Sequence, residues 1–132
     1  MSLMFRSPDV YKVGMAGAPV PELRLYDTIY QERYMGLPLE NVEGYKASSA
    51  INYAEGLRGR LLIVHGSGDD NVHYAGTELL MNRLIELGKP FDFMEYPNRT
   101  HCACEGKGVR YHLYSLFLRY LEQNLPAGPV AP

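Results

Sequence analysis

Residues Leu61-Leu62-Ile63-Val64-His65-Gly66-Ser67-Gly68-Asp69-Asp70-Asn71-Val72-His73 pass abruptly from apolar residues to small and acidic ones. A parallel strand delivers an acid to its carboxyl end in this way, and open α/β sheets place their active sites there. Asp69 is the candidate. A carboxylate just past a strand can accept a ring N–H from a histidine, fix its tautomer and stabilise the imidazolium formed during proton transfer. The competing reading is that Asp69, Asp70 and Asn71 only cap a following helix or shape a turn. Position alone leaves both open.

A base is sought among four histidines. His65 ends the apolar run and is expected to support the Asp69 loop by hydrogen bonding. His73 opens a helix-like segment and His112 lies inside another, so both have plain packing or surface readings. His101, 32 residues after Asp69, stands in a loop after a second strand candidate. Loop histidines on a rigid scaffold are the better catalytic candidates. Acid then histidine, each after its own strand, is the later part of the Ser…Asp…His order of α/β-hydrolases. No G-x-S-x-G elbow occurs: Ser67 has His65 and Asp69 where that motif needs glycines, and Ser7, Ser48, Ser49 and Ser115 have no glycine frame. Cys102 and Cys104, one residue apart, are expected to be unpaired thiols with no metal role, because a C-x-C pair strains to close. A Cys–His nucleophile pair is the rival reading. Nothing calls for a cofactor or a metal.

Three strands are expected to carry these groups: Val13–Ala18, Leu61–His65 and Phe91–Tyr96. Leu61–His65 is continuously apolar, as in a strand covered on both faces. The segment 74–87 places Leu79, Leu80, Leu84 and Leu87 on one helical stripe and stops at Gly88. The segment 111–125 repeats that pattern, and 28–35 predicts a shorter helix bounded by Gly36 and Pro38. Alternating strands and helices imply an α/β fold, a mostly parallel sheet flanked by helices. Residues 1–125 read as one domain and 126–132 as a loose Pro/Gly tail. With 132 residues, 21% charged and a net charge of −2, the chain shows no basic stripe for nucleic acid and no apolar run long enough to span a membrane. One edge of Val13–Ala18 lacks a partner. Either further strands pair there, or residues 1–12 fold back over it, or a second copy of the chain covers it as a homo-oligomer.

The chain resembles the C-terminal part of the catalytic domain of the prolyl oligopeptidase superfamily, dipeptidyl peptidase IV branch. The resemblance rests on Ala18-Pro19-Val20, on Tyr26-Asp27-Thr28-Ile29-Tyr30-Gln31-Glu32-Arg33-Tyr34-Met35-Gly36-Leu37-Pro38, on His65 to His73, and on Tyr96-Pro97-Asn98-Arg99-Thr100-His101. It implies the C-terminal portion of an α/β-hydrolase fold, with Asp69 as triad acid and His101 as triad base. Val20, Tyr26, Tyr30 and Val72 would line the pocket for the substrate's proline or alanine, and Asn71 would hydrogen-bond a substrate carbonyl. For Tyr26 and Tyr30 the plain alternative is packing, four apart on one helical face.

The expected function is then that of a fragment of a serine exopeptidase acting on peptides, releasing N-terminal dipeptides with Pro or Ala second. The serine would lie upstream and the isolated chain would be inactive. The alternatives are a fragment of an esterase or acyl-peptide hydrolase, or a non-catalytic association module. By resemblance the parent would work in the periplasm or envelope. If the fold assembles as in the family, Asp69 and His101 lie within hydrogen-bond reach. With nothing upstream to hold the histidine, a loose arrangement is the expectation.

Overall fold

Strand β2, Arg60–Gly66, is the axis of the structure, because among the described residues it is the one strand with both neighbours and both faces covered. In this computed structural model, which describes residues 1–125, β1 (Val13–Gly17) and β3 (Asp92–Tyr96) flank it, both parallel to it, in the order β1-β2-β3. The register pairs Gly14 with Leu61 on one side and His65 with Glu95 on the other. Strand side chains alternate between faces. Leu61 and Ile63 accordingly enter a core cluster with Met4, Phe5, Leu80 and Leu84, whereas Leu62 and Val64 join Tyr96, Leu113 and Tyr120. An unbroken apolar run is what two covered faces require. His65 shares the parity of Leu61 and Ile63.

The helices are α1 (Ser2–Arg6), α2 (Thr28–Met35), α3 (Val42–Ser48), α4 (Tyr74–Glu86) and α5 (Val109–Asn124). Helix α4 turns Leu80 and Leu84, both fully buried, onto the sheet and leaves Leu79 47% exposed, so the buried stripe centres on Leu80 and Leu84. It ends at Leu87, with Gly88 at φ 63° in the left-handed conformation that stops helices. Helix α5 covers the opposite face, and the Tyr120 hydroxyl donates to Asp92 Oδ2 at 3.0 Å where β3 begins. Burial, with the Asp92 hydrogen bond, pushes that phenol well above its ordinary range.

The expected α/β architecture is present. The strand limits shift by a residue: Ala18, at φ 40°, leaves the strand conformation, and the ladder starts at Arg60 and Asp92. Helices α1 and α3 and two short 3-10 segments, Leu23–Leu25 and Ala50–Gly56, were not expected. Their apolar residues are too few for a readable period; α1 is stabilised by Met4 and Phe5 entering the core. Residues 1–12 do not pair with the free edge of β1. Helix α1 lies over the sheet face instead, where a side chain on Gly14 would meet the Met4 sulfur at 2.9 Å. Among the described residues no strand pairs with that outer edge. The tail expected over 126–132 lies outside the described residues.

Leu80→Ala should cost about 2–5 kcal/mol of stability in denaturant unfolding, whereas Leu79→Ala, on the outer face, should change it by less than about 0.5 kcal/mol.

Candidate active site

Past β2 the chain turns sharply, and the Asp69 N–H returns to the Gly66 carbonyl at 3.2 Å. The Asp69 side chain is shielded from solvent. Its Oδ1 accepts the backbone N–H groups of Asn71 and Val72, each at 2.9 Å. Its Oδ2 lies 3.0 Å from His101 Nδ1 and 3.0 Å from His65 Nε2. The two readings of this aspartate therefore coexist: one oxygen shapes the turn and the other faces two imidazoles. Burial pushes the carboxyl up. The His101 hydrogen bond, the Asn71 and Val72 N–H groups and the His101 charge pull the other way and prevail, holding it below its ordinary value of 3.8.

His101 is tightly held, which corrects the expectation of a loose arrangement. Its loop runs directly over the end of β2. Gly68 N–H donates to the Arg99 carbonyl at 3.1 Å, and a side chain on Gly66 would meet that same oxygen at 2.2 Å. Ser67, which has no nucleophile's frame, accepts the Asn98 N–H through its hydroxyl at 2.9 Å. Beyond His101, the Glu105 carboxylate takes the Thr100 N–H at 3.2 Å, the Thr100 hydroxyl and the Cys104 N–H at 3.1 Å. Ala103 is buried among the α5-side residues. The loop is thus anchored before and after the histidine by groups within the chain. The His101 side chain remains 45% exposed, and Nε2 has no hydrogen-bond partner among the described residues.

The cysteines also require correction. Cys102 and Cys104 form a disulfide. Ala103, at φ 44°, bends the chain so that the two Cα atoms lie 5.1 Å apart, a separation a disulfide can bridge. Neither sulfur is a free thiol beside His101, so the Cys–His pair is excluded.

Of the expected pocket residues, Tyr26, Tyr30 and Asn71 are brought together. Tyr26 precedes α2 rather than lying on it, because Asp27 caps the helix by accepting the Ile29 N–H at 3.1 Å. Its ring meets Tyr30 edge-to-face at 5.6 Å, and its hydroxyl donates to Asn71 Oδ1 at 2.8 Å. Tyr26 and Asn71 border an open cleft of about 540 Å³ that also carries Asp27, Asp70 and His73. Val72 is buried and contributes its carbonyl to His65 at 2.9 Å; Val20 is half-buried in the loop after β1. Sequence reasoning missed Thr77, 2.7 Å from His65 Nδ1, and Glu105. For Thr77 the available signal was a small polar residue on the buried stripe of α4.

Because the folded Asp69 carboxyl titrates below its unfolded value, the unfolded chain binds that proton first as pH falls. The stabilisation is present above about pH 4 and is lost as pH drops through the folded value. Asp69→Asn should therefore flatten the acid limb of the stability–pH curve below about pH 4, measured by circular dichroism. Glu22, held low chiefly by its Arg24 hydrogen bond, will continue to contribute there.

A profile of the prolyl oligopeptidase family matches residues 1–127. Dipeptidyl peptidase 8 from Homo sapiens and from Mus musculus is 43% identical over 129 residues, covering 95% of this chain and 14% of the relative. Dipeptidyl peptidase 4 from Felis catus is 35% identical over 117 residues, covering 86% of this chain and 15% of that protein. The crystal structure of Porphyromonas gingivalis dipeptidyl peptidase 4 is similar at a TM-score of 0.89 and 44% identity, over 92% of this chain and 17% of that one. The chain thus spans about 14% of the length of the dipeptidyl peptidase 8 relatives. With the profile matched over nearly its whole length, the chain belongs to the prolyl oligopeptidase family of serine peptidases.

Proposed function

We propose that this chain supplies the acid and the base of a serine exopeptidase that releases dipeptides from the N-termini of peptides with Pro or Ala second. The nucleophilic serine comes from a segment outside these 132 residues, and the chain alone does not hydrolyse peptides. The observation that carries this reading is the 3.0 Å contact between His101 Nδ1 and the shielded Asp69 Oδ2, with Nε2 left open. His101 takes the serine proton through Nε2 as the hydroxyl attacks the carbonyl, then returns it to the leaving amine. Asp69 holds the imidazole in the Nδ1–H tautomer and stabilises its charged form.

Substrate choice falls to the residues around Tyr26. With Asn71 Oδ1 taken by the Tyr26 hydroxyl, the Asn71 amide N–H is left to donate to a substrate carbonyl. Tyr26 and Tyr30 present aromatic walls to a small apolar ring, with Val20 and Val72 as its apolar lining. The dipeptidyl peptidase names of the relatives agree with this choice.

A serine-directed phosphonate should label the complete protein and leave the 132-residue chain unlabelled. In the complete protein, Asp69→Asn should lower kcat on a Gly-Pro chromogenic substrate by roughly 10⁴-fold. Labelling of a serine within this chain, or ester hydrolysis without Gly-Pro cleavage, would overturn the assignment.

The free edge of β1 also supports association of the isolated chain as a two-fold pair, since unpaired backbone groups on a low-charge strand invite pairing. Light scattering should show mass rising with concentration in the micromolar range; a monomer at all concentrations would refute it.

A further inference from the structure

Asp69 is shared between two histidines, and the buried one plays a part distinct from that of the exposed one. His65 is completely enclosed. Its Nε2 faces two acceptors, Asp69 Oδ2 at 3.0 Å and the Val72 carbonyl at 2.9 Å. A lone pair on that nitrogen would point at oxygen lone pairs in an enclosed site, so Nε2 carries a hydrogen. Nδ1 lies 2.7 Å from Thr77 Oγ1, and Thr77 is as deeply buried. A hydroxyl can donate or accept, so this contact decides whether His65 is neutral or cationic.

A cationic His65 would donate from both nitrogens, and the Thr77 hydrogen would then need another acceptor. The partner found for Thr77 Oγ1 among the described residues is His65 Nδ1. With the hydroxyl donating, Nδ1 keeps its lone pair and the ring is neutral. The distinction matters for Asp69. A buried imidazolium would cancel the carboxylate's charge, whereas a neutral N–H donor fixes its orientation and leaves the negative charge for His101. The ring is further held edge-on to Tyr74 at 5.4 Å.

We propose that His65 is a positioning residue for the proton-transfer pair, locked by the Thr77 hydroxyl as a neutral Nε2–H donor that aims Asp69 Oδ2 at His101. The fold brings these groups together by parity. His65 lies on the same face of β2 as Leu61 and Ile63, the face that α4 covers with Leu80 and Leu84. Thr77 lies three residues before Leu80 on the same buried stripe of α4, so it meets the last residue of that sheet face. This role rests on His101 being the base. Its test reads nitrogen protonation rather than turnover, so it can fail while that reading stands.

The experiment is ¹⁵N–¹H correlation spectroscopy of this chain labelled with [¹⁵N]histidine at neutral pH. In the unmodified chain, His65 should show a protonated Nε2 and an unprotonated Nδ1, and His101 a protonated Nδ1. Thr77→Val keeps the shape and removes the hydroxyl. The His65 Nδ1 signal should then move further from the protonated position, as for a lone pair that has lost its donor, and the His101 Nδ1–H resonance should shift with it. Thr77→Ser should restore both. His65→Phe should abolish the single His101 tautomer; if that variant does not fold, the Thr77 pair decides. A protonated His65 Nδ1 in the unmodified chain would overturn the proposal. So would spectra of Thr77→Val that match the unmodified chain at both histidines.

Discussion

The backbone of residues 97–101 crosses the end of β2 at a distance that leaves no room for a side chain on Gly66, where a Cβ would sit 2.2 Å from the Arg99 carbonyl. That close passage brings together two loops from different strands. It lets Gly68 and Ser67 hydrogen-bond the backbone of the second loop, and it sets His101 against Asp69. The site depends on this crossing because neither residue could reach the other from an extended loop. Parallel strands make it possible, since both loops leave the sheet at the same carboxyl end.

Around that crossing, the polar groups at the centre have defined partners. Asp69 meets two backbone N–H groups of its own turn and two imidazole nitrogens. A buried carboxylate so surrounded keeps its charge at neutral pH despite desolvation, because hydrogen bonds to the charged form outweigh the cost of burial. The Cys102–Cys104 disulfide and the Glu105 carboxylate restrict the far side of the loop. The contact between His101 and Asp69 is thus held by groups within the chain on both sides of the histidine.

Much of this was legible in the residues. The apolar run Leu61–Val64 and its acidic exit marked a covered parallel strand and a candidate acid, and the leucine spacing marked α4. His101 was separable from the other histidines by its loop position alone. The first helix and α3 were not legible, because five- and seven-residue segments carry too little period to distinguish from a loop.

The sequence by itself determined the order of the three strands and of the three longest helices, the candidate acid, the candidate base and the family resemblance, because these depend on local pattern and on motif residues close together in the chain. Tertiary structure decided what those residues touch. Thr77 faces His65, and Asp69 divides its oxygens between a turn and two rings, only because separate segments pack together. Ala103 joins its flanking cysteines through a left-handed backbone conformation that its own residue type disfavours. Spacing along the chain carries no record of either, since a hydrogen bond between distant residues is set by the crossing of backbones in space.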